Sequence, residues 1–205
     1  MVPVEPCVMA ILAHPDDELS VAGTLAACAA EGAQVVLVCA TSGDRGPIAD
    51  LSLATPETLG EVRREELRCS CRRLGIQHLQ ILNYGDSGCD GGHGTPGPGT
   101  LARAQAAEVI DGLVRIIRRH RPQIVITFGP DGLTGHRDHV TIGAYATAAF
   151  GVAGDRARAD AGALAGPGPW RPARLFYVAL PQRLRELVLA PGGPVAIGQV
   201  TPPVG

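Results

Sequence analysis

Five apolar runs set the rhythm of this chain: 7–13 (CVMAILA), 34–40 (QVVLVCA), 78–84, 123–129 (QIVITFG) and 174–180. Each is short, and those at 7–13, 34–40 and 123–129 are nearly free of polar residues, the pattern of strands buried on both faces of a parallel sheet. Between the first four lie stretches with helical spacing. The first covers about 18–31 and stops at Gly32, a natural helix end. The second covers about 57–74, from Thr55-Pro56-Glu57 to Leu74-Gly75. The third covers about 101–120, with Ala106, Val109, Ile110, Leu113, Val114 and Ile117 on one face. Arg115, Arg118 and Arg119 fall largely off that face and read as solvated charge. A fourth helix is expected after His139, to about Phe150. Strands alternating with helices imply βαβ units, so the expected fold is α/β: a Rossmann-like three-layer α/β/α sandwich with a mostly parallel sheet.

Two stretches break the alternation. Residues 87–100 form a Gly/Pro-rich loop after the third strand, placed where a substrate loop or a plain connector would sit. Residues 151–172, rich in Gly, Ala and Pro, read as a surface insertion. The tail after Pro191 looks extended, and no internal repeat is present. The expected organisation is one domain over 1–205, a length that supports a sizeable core.

Charge narrows the partners. The formal net charge is −2, so no basic field is available for nucleic acid or an anionic membrane. The basic residues are all Arg, which points to a GC-rich genome rather than to chemistry. No apolar run is long enough for a transmembrane helix and no signal peptide is evident, so a cytoplasmic location is expected. The six cysteines, at 7, 28, 39, 69, 71 and 89, form no C-x-x-C pair and read as small buried hydrophobes rather than a disulfide framework. His78, His93 and His120 stand outside any cluster.

The chemistry sits at two strand ends. His14-Pro15-Asp16-Asp17 follows the first apolar run, and His136-Arg137-Asp138-His139 follows the fourth. Imidazoles and carboxylates are costly there unless solvated, paired or metal-bound, and the carboxyl ends of strands are where open α/β sheets bind ligands. His14, Asp17 and His139 can supply two nitrogens and one oxygen to a catalytic zinc with water in the fourth position. Fe²⁺ can occupy similar ligands. Asp16 then lies beside the metal as a general base. His136, if charged, can stabilise an oxyanion or protonate a leaving amine. Asp138 suits a hydrogen bond that fixes an imidazole. The apolar first strand runs into His14-Pro15 rather than G-x-G-x-x-G, which counts against dinucleotide binding.

Three motifs, AHPDDE at 13–18, TSGDRG at 41–46 and TFGPDGLTGHRDH at 127–139, resemble the LmbE/PIG-L family of zinc-dependent deacetylases, many of which act on N-acetylglucosaminyl compounds. The resemblance covers roughly 8–150 and implies one zinc per chain on His14, Asp17 and His139, a base at Asp16 and an oxyanion-stabilising or acid histidine at His136. It also implies a small amino-sugar substrate. Arg63 and Glu66 match an R-x-x-E pattern in the family's second helix and either touch substrate or form an i,i+3 surface pair. Asp86 matches a position that can hold sugar hydroxyls, with a turn-forming role as the alternative. Asp44 and Arg45 can shape the pocket rim. The sequence departs from the family at Thr134, where some relatives carry a carbonyl-assisting Tyr. It also lacks a counterpart to the closing helical segment of many relatives, which leaves the pocket open, completed by another subunit of a homo-oligomer, or absent. The expected activity is hydrolytic removal of an acetyl group from an amino sugar. The rivals are a metal-dependent hydrolase of another bond and a sugar-binding member without turnover.

Overall fold

A computed structural model describes residues 5–88, 95–156 and 168–189. Cys89, His93, residues 157–167 of the 151–172 insertion and the tail after Pro191 lie outside them. Five strands form one sheet: β1 (Cys7–Leu12), β2 (Gln34–Thr41), β3 (His78–Tyr84), β4 (Ile124–Phe128) and β5 (Arg174–Val178). Their order is β3-β2-β1-β4-β5 and every pairing is parallel. All six residues of β1 are buried, as expected of a central strand covered on both faces. The helices are α1 (Ala22–Ala30), α2 (Leu59–Leu74), α3 (Ala106–His120), α4 (Gly132–Gly135), α5 (Arg137–Val152) and α6 (Gln182–Leu189). Helix α1 packs on α2, and α3 on α5. Right-handed crossovers put the two pairs on opposite faces of the sheet, giving the three-layer sandwich the periodicity predicts.

Strand order reverses at β1. The chain steps outward through β2 and β3, then returns to add β4 on the other side of β1. The crevice beyond the carboxyl ends of β1 and β4 is therefore the topological switch point, where such sheets bind ligands. Both His/Asp clusters follow these two strands.

Several local expectations need correction. The first helix opens as a 3₁₀ turn, Asp17–Val21, before α1. The third likewise splits into a 3₁₀ turn at Leu101–Arg103 and α3. Helix α5 starts at Arg137, ahead of His139, because the His136 side chain caps it by accepting from the Asp138 N–H at 3.1 Å. Arg118 is not solvated; it is 1% exposed. Its Nε donates to Ala153 O at 2.9 Å and its Nη2 to Asp155 O at 2.7 Å. Those acceptors lie at the carboxyl end of α5, where helix carbonyls lack internal partners and favour a cation. Helix α6 was not anticipated.

Candidate metal centre

The β1 exit is a sharp turn. The Asp17 carboxylate folds back on it, its Oδ2 accepting from the Ala13 N–H at 3.0 Å and the His14 N–H at 2.7 Å. That return aims Asp17 at the His14 ring, with His14 Nδ1 3.6 Å from Asp17 Oδ2. Across the switch point, the first turn of α5 delivers His139, whose Nε2 is 3.2 Å from His14 Nδ1 and 3.2 Å from Asp17 Oδ1. Tetrahedral ligands about 2.0–2.1 Å from zinc are spaced at about 3.3 Å. Asp17 meets the two nitrogens with different oxygens, Oδ2 toward His14 and Oδ1 toward His139, so two imidazoles and one carboxylate converge at spacings near those of zinc ligands.

Each imidazole is held by its other nitrogen. His139 Nδ1 lies 3.0 Å from Gly132 O, and the ring stacks on Phe128 with centroids 4.1 Å apart. His14 Nε2 is 3.2 Å from Asp138 Oδ2 and 3.6 Å from Asp86 Oδ1. Such outer partners fix the tautomer, leaving the inward nitrogen to bind metal. Asp138 is fully buried, and Ser87 saturates it, the backbone N–H donating to Oδ2 at 2.8 Å and the hydroxyl to Oδ1 at 2.5 Å.

Two other groupings converge near the same point. His14, His136 and His139 form one; His14, Asp86 and Asp138 form the other. The second uses the outer nitrogen of His14 and an Asp138 already committed to Ser87, so it is a clasp on the imidazole. In the first, Nδ1 of His136 is already engaged as the cap of α5, while Asp17 Oδ1 lies 3.2 Å from His139 Nε2. His136 nevertheless stands close, its ring 4.7 Å from that of His14 in a T-shaped contact.

The electrostatics fit a cation. Burial pulls the His14 pKa down, but hydrogen bonds that its ring donates to Asp138, Asp17 and Asp86 outweigh it and lift it well above an ordinary imidazole. Burial alone would raise Asp17, yet His139 and His14 hold it below the usual carboxylate range. Asp86 is likewise lowered to about 2, its desolvation outweighed by His14. A proton on His14 compensates three surrounding carboxylates, the same demand a divalent ion would meet with more charge. Burial, followed by the positive fields of His14 and His139, lowers the His136 pKa, so the neutral ring is favoured. With Nδ1 accepting from Asp138, the proton of that neutral ring sits on Nε2.

Asp16 lies at the rim with its carboxylate 64% exposed, paired with Arg63 at 2.7 Å. Desolvation is the main influence raising its pKa, with Arg63 pulling the other way. The three residues expected to meet substrate are not brought together. Arg63 is turned toward the 14–17 turn, Glu66 is exposed on α2, and Asp86 is buried beneath His14. Among the described residues Arg63 pairs with Asp16 rather than with Glu66. Sequence reasoning missed Ser87; it left Glu18, which is buried, open between a cap on the first helix and a support beside the site. Glu18 Oε2 accepts from the Asp16 N–H at 2.9 Å, and its Oε1 accepts from the Ser70 hydroxyl at 2.6 Å. The placement of Glu18 directly after the two aspartates was the one available signal. Asp44 tightens the rim, its Oδ1 accepting from Ser42 and from the Asp86 N–H.

The family model described as PIG-L, GlcNAc-PI de-N-acetylase, matches residues 9–150, which takes in both clusters. The chain belongs to the PIG-L family. Among curated PIG-L-like relatives, a 1D-myo-inositol 2-acetamido-2-deoxy-alpha-D-glucopyranoside deacetylase of Streptomyces scabiei is 37% identical over 199 residues, covering 88% of this chain and 60% of that one. The protein of the same name from Thermobifida fusca is 34% identical over 209 residues, covering 93% and 70%. This chain thus spans about 60% of the length of the first of them. Among solved structures, the N,N'-diacetylchitobiose deacetylase of Pyrococcus horikoshii superposes with a TM-score of 0.66 at 26% identity, over 83% of this chain and 58% of that one. GalB, a 4-carboxy-2-hydroxymuconate hydratase from Pseudomonas putida, shares the fold at a TM-score of 0.63 and 21% identity, covering 83% and 64%. The PIG-L fold therefore does not by itself fix the reaction. No described helix is long and apolar enough to cross a membrane.

Proposed function

We propose that this PIG-L chain carries a zinc-dependent N-deacetylase site that removes acetyl from an N-acetylglucosaminyl conjugate, with His14, Asp17 and His139 as zinc ligands. The observation that carries the reading is the convergence of His14, His139 and the Asp17 carboxylate, with His139 Nε2 3.2 Å from His14 Nδ1 and 3.2 Å from Asp17 Oδ1, and Asp17 Oδ2 3.6 Å from His14 Nδ1. The deacetylase names of its relatives support it independently.

A bound zinc supplies Lewis acidity, lowering the pKa of a coordinated water to about 7. The protein's own groups do the rest. Asp16, open at the rim, accepts a proton from the attacking water as general base. Neutral His136 donates from Nε2 to the carbonyl oxygen as negative charge develops there, a hydrogen bond stronger in the transition state than in the ground state. This replaces the charged His136 expected from sequence. Asp138 and Ser87 keep His14 aimed inward. As the C–N bond breaks, the proton held by Asp16 passes to the amine nitrogen. Water and amide become acetate and amine. The site does not single out a sugar, so the inositol-linked substrate class in the relatives' names is the first to test.

The test combines elemental analysis with free-amine release from a panel of N-acetylglucosamine conjugates, the inositol-linked one included. One zinc per chain and chelator-sensitive release are expected. Failure to bind metal after zinc addition overturns the ligand assignment; zinc binding with no release from any conjugate overturns the substrate class.

A further inference from the structure

Asp16 is one of four described non-glycine residues with positive φ, at φ 101° and ψ −23°. A side chain there is strained, and such backbone persists only where its surroundings over-determine it. Those surroundings come from α2. Arg63 Nη2 donates to Asp16 Oδ2 at 2.7 Å and to Pro15 O at 2.5 Å, while Nη1 donates to Gly43 O at 3.0 Å. One guanidinium thus ties the turn after β1 to the loop after β2. Seven residues further on, two turns along the same face of α2, the Ser70 hydroxyl donates to Glu18 Oε1 at 2.6 Å. The other oxygen of Glu18 receives the Asp16 N–H at 2.9 Å. Glu18 is only 3% exposed, so this carboxylate is a buried strut.

We infer that α2 is a positioning element for Asp16, gripping its carboxylate through Arg63 and its backbone N–H through Ser70 and Glu18. Leu67 and Cys71 bury the same stretch of helix in the core, so the grip is anchored to the sheet. The space for it is built in. Gly43 has φ +64°, and a Cβ there would collide with the Arg63 guanidinium; one on Gly46 would lie 2.7 Å from Arg63 Nη1. Three of the five guanidinium N–H donors of Arg63 go to the two loops and to Asp16, which ties it to the turn. A general base must stay within hydrogen-bond reach of the proton it takes, and a displacement of about 1 Å can cost about a hundredfold in rate.

The inference rests on the deacetylase reading, so its test has an arm independent of turnover. Arg63→Ala, Arg63→Lys, Ser70→Ala and Ser70→Thr would be made in the wild-type chain, and the two alanine changes also in an Asp16→Ala background. Zinc content, kcat and KM for amine release, and hydrogen exchange at the Asp16 amide would be measured. Zinc content should stay at the wild-type value in every variant. Ser70→Ala and Arg63→Ala should lower kcat about tenfold to a hundredfold at nearly constant KM. Ser70→Thr, which keeps the hydroxyl, should restore it. Exchange at Asp16 should accelerate in Ser70→Ala and Arg63→Ala. In the Asp16→Ala background neither change should alter the residual rate further, because the helix acts through Asp16. Additive losses in that background, or a rise in KM alone, would overturn the inference. If the wild-type chain releases no amine, the deacetylase reading fails by itself, and the exchange arm decides: protection at Asp16 unchanged in both alanine variants defeats the grip.

Discussion

Asp16 and Asp17 are chemically identical neighbours with opposite surroundings, and the difference separates the roles proposed for them. Asp17 is turned inward against two backbone N–H groups and two imidazoles. Asp16 is flipped out by its positive φ and left 64% exposed. Asp17→Ala, like His14→Ala, is therefore expected to abolish stoichiometric zinc binding by elemental analysis. Asp16→Ala should keep the zinc and lose about 10²–10⁴ in turnover. The same carboxylates give the metal-free protein a distinctive pH profile. His14 is raised above its ordinary 6.5, so its contribution to stability is full below that value and is lost as pH rises through the folded pKa. Asp17 and Asp86 are lowered from 3.8, so theirs is present above about that value and is lost as pH falls further, toward about 2 for Asp86. Thermal melts of chelated protein should fall on both sides of a mildly acidic maximum. A profile that keeps rising past neutral pH would contradict the charge assigned to His14. These residues were legible because polar groups at the ends of apolar runs are conspicuous. Ser87 was not, since nothing in its neighbourhood announces that it saturates a carboxylate supplied 51 residues later.

Strands were legible nearly to the residue, because unbroken apolar runs have no other cheap place to go. Helix boundaries were less so where side chains cap unexpectedly. The run 136–139 was read as a loop ahead of a helix, but His136 is an uncommon cap, and its use moves His139 into the first turn of α5. Arg118 was misread because its carbonyl acceptors belong to another helix and carry no mark in the local sequence. Helix α5 also shows how a packing contact reaches the site. Gly143, one turn beyond His139, lies against β4, and an added Cβ would sit 2.5 Å from Phe128 O, a backbone atom with little room to yield. Gly143→Ala should push α5 outward and lower stability by about 1–3 kcal/mol in urea unfolding. Because His139 stacks on that same Phe128, the variant should also bind zinc more weakly in a competition titration. Lost stability with unchanged zinc affinity would show that the two are uncoupled.

Across the whole molecule, the site is where two sequence-distant halves of one sheet meet, and metal should stabilise the fold as any ligand of the native state does. At a free zinc concentration a hundredfold above Kd the gain is about 2.7 kcal/mol, or about 5–10 °C in Tm for a domain of this size. Chelation should remove that increment and zinc should restore it. The fold class could be read from alternation alone, and so could the placement of both clusters at strand carboxyl ends, but the switch point between them came from the strand order. The five-strand order was not readable, since nothing local tells β4 to return beside β1. That return has a consequence for a chain still being made. His14 and His139 are 125 residues apart, and the N-terminal half leaves the ribosome first. Until β4 docks and α5 has begun to wind, the nascent protein would hold only His14 and Asp17 of the three proposed ligands. On the proposed ligand set, capture of the ion would wait for synthesis to pass α5, and metal loading would mark the moment the second half of the sheet closes on the first.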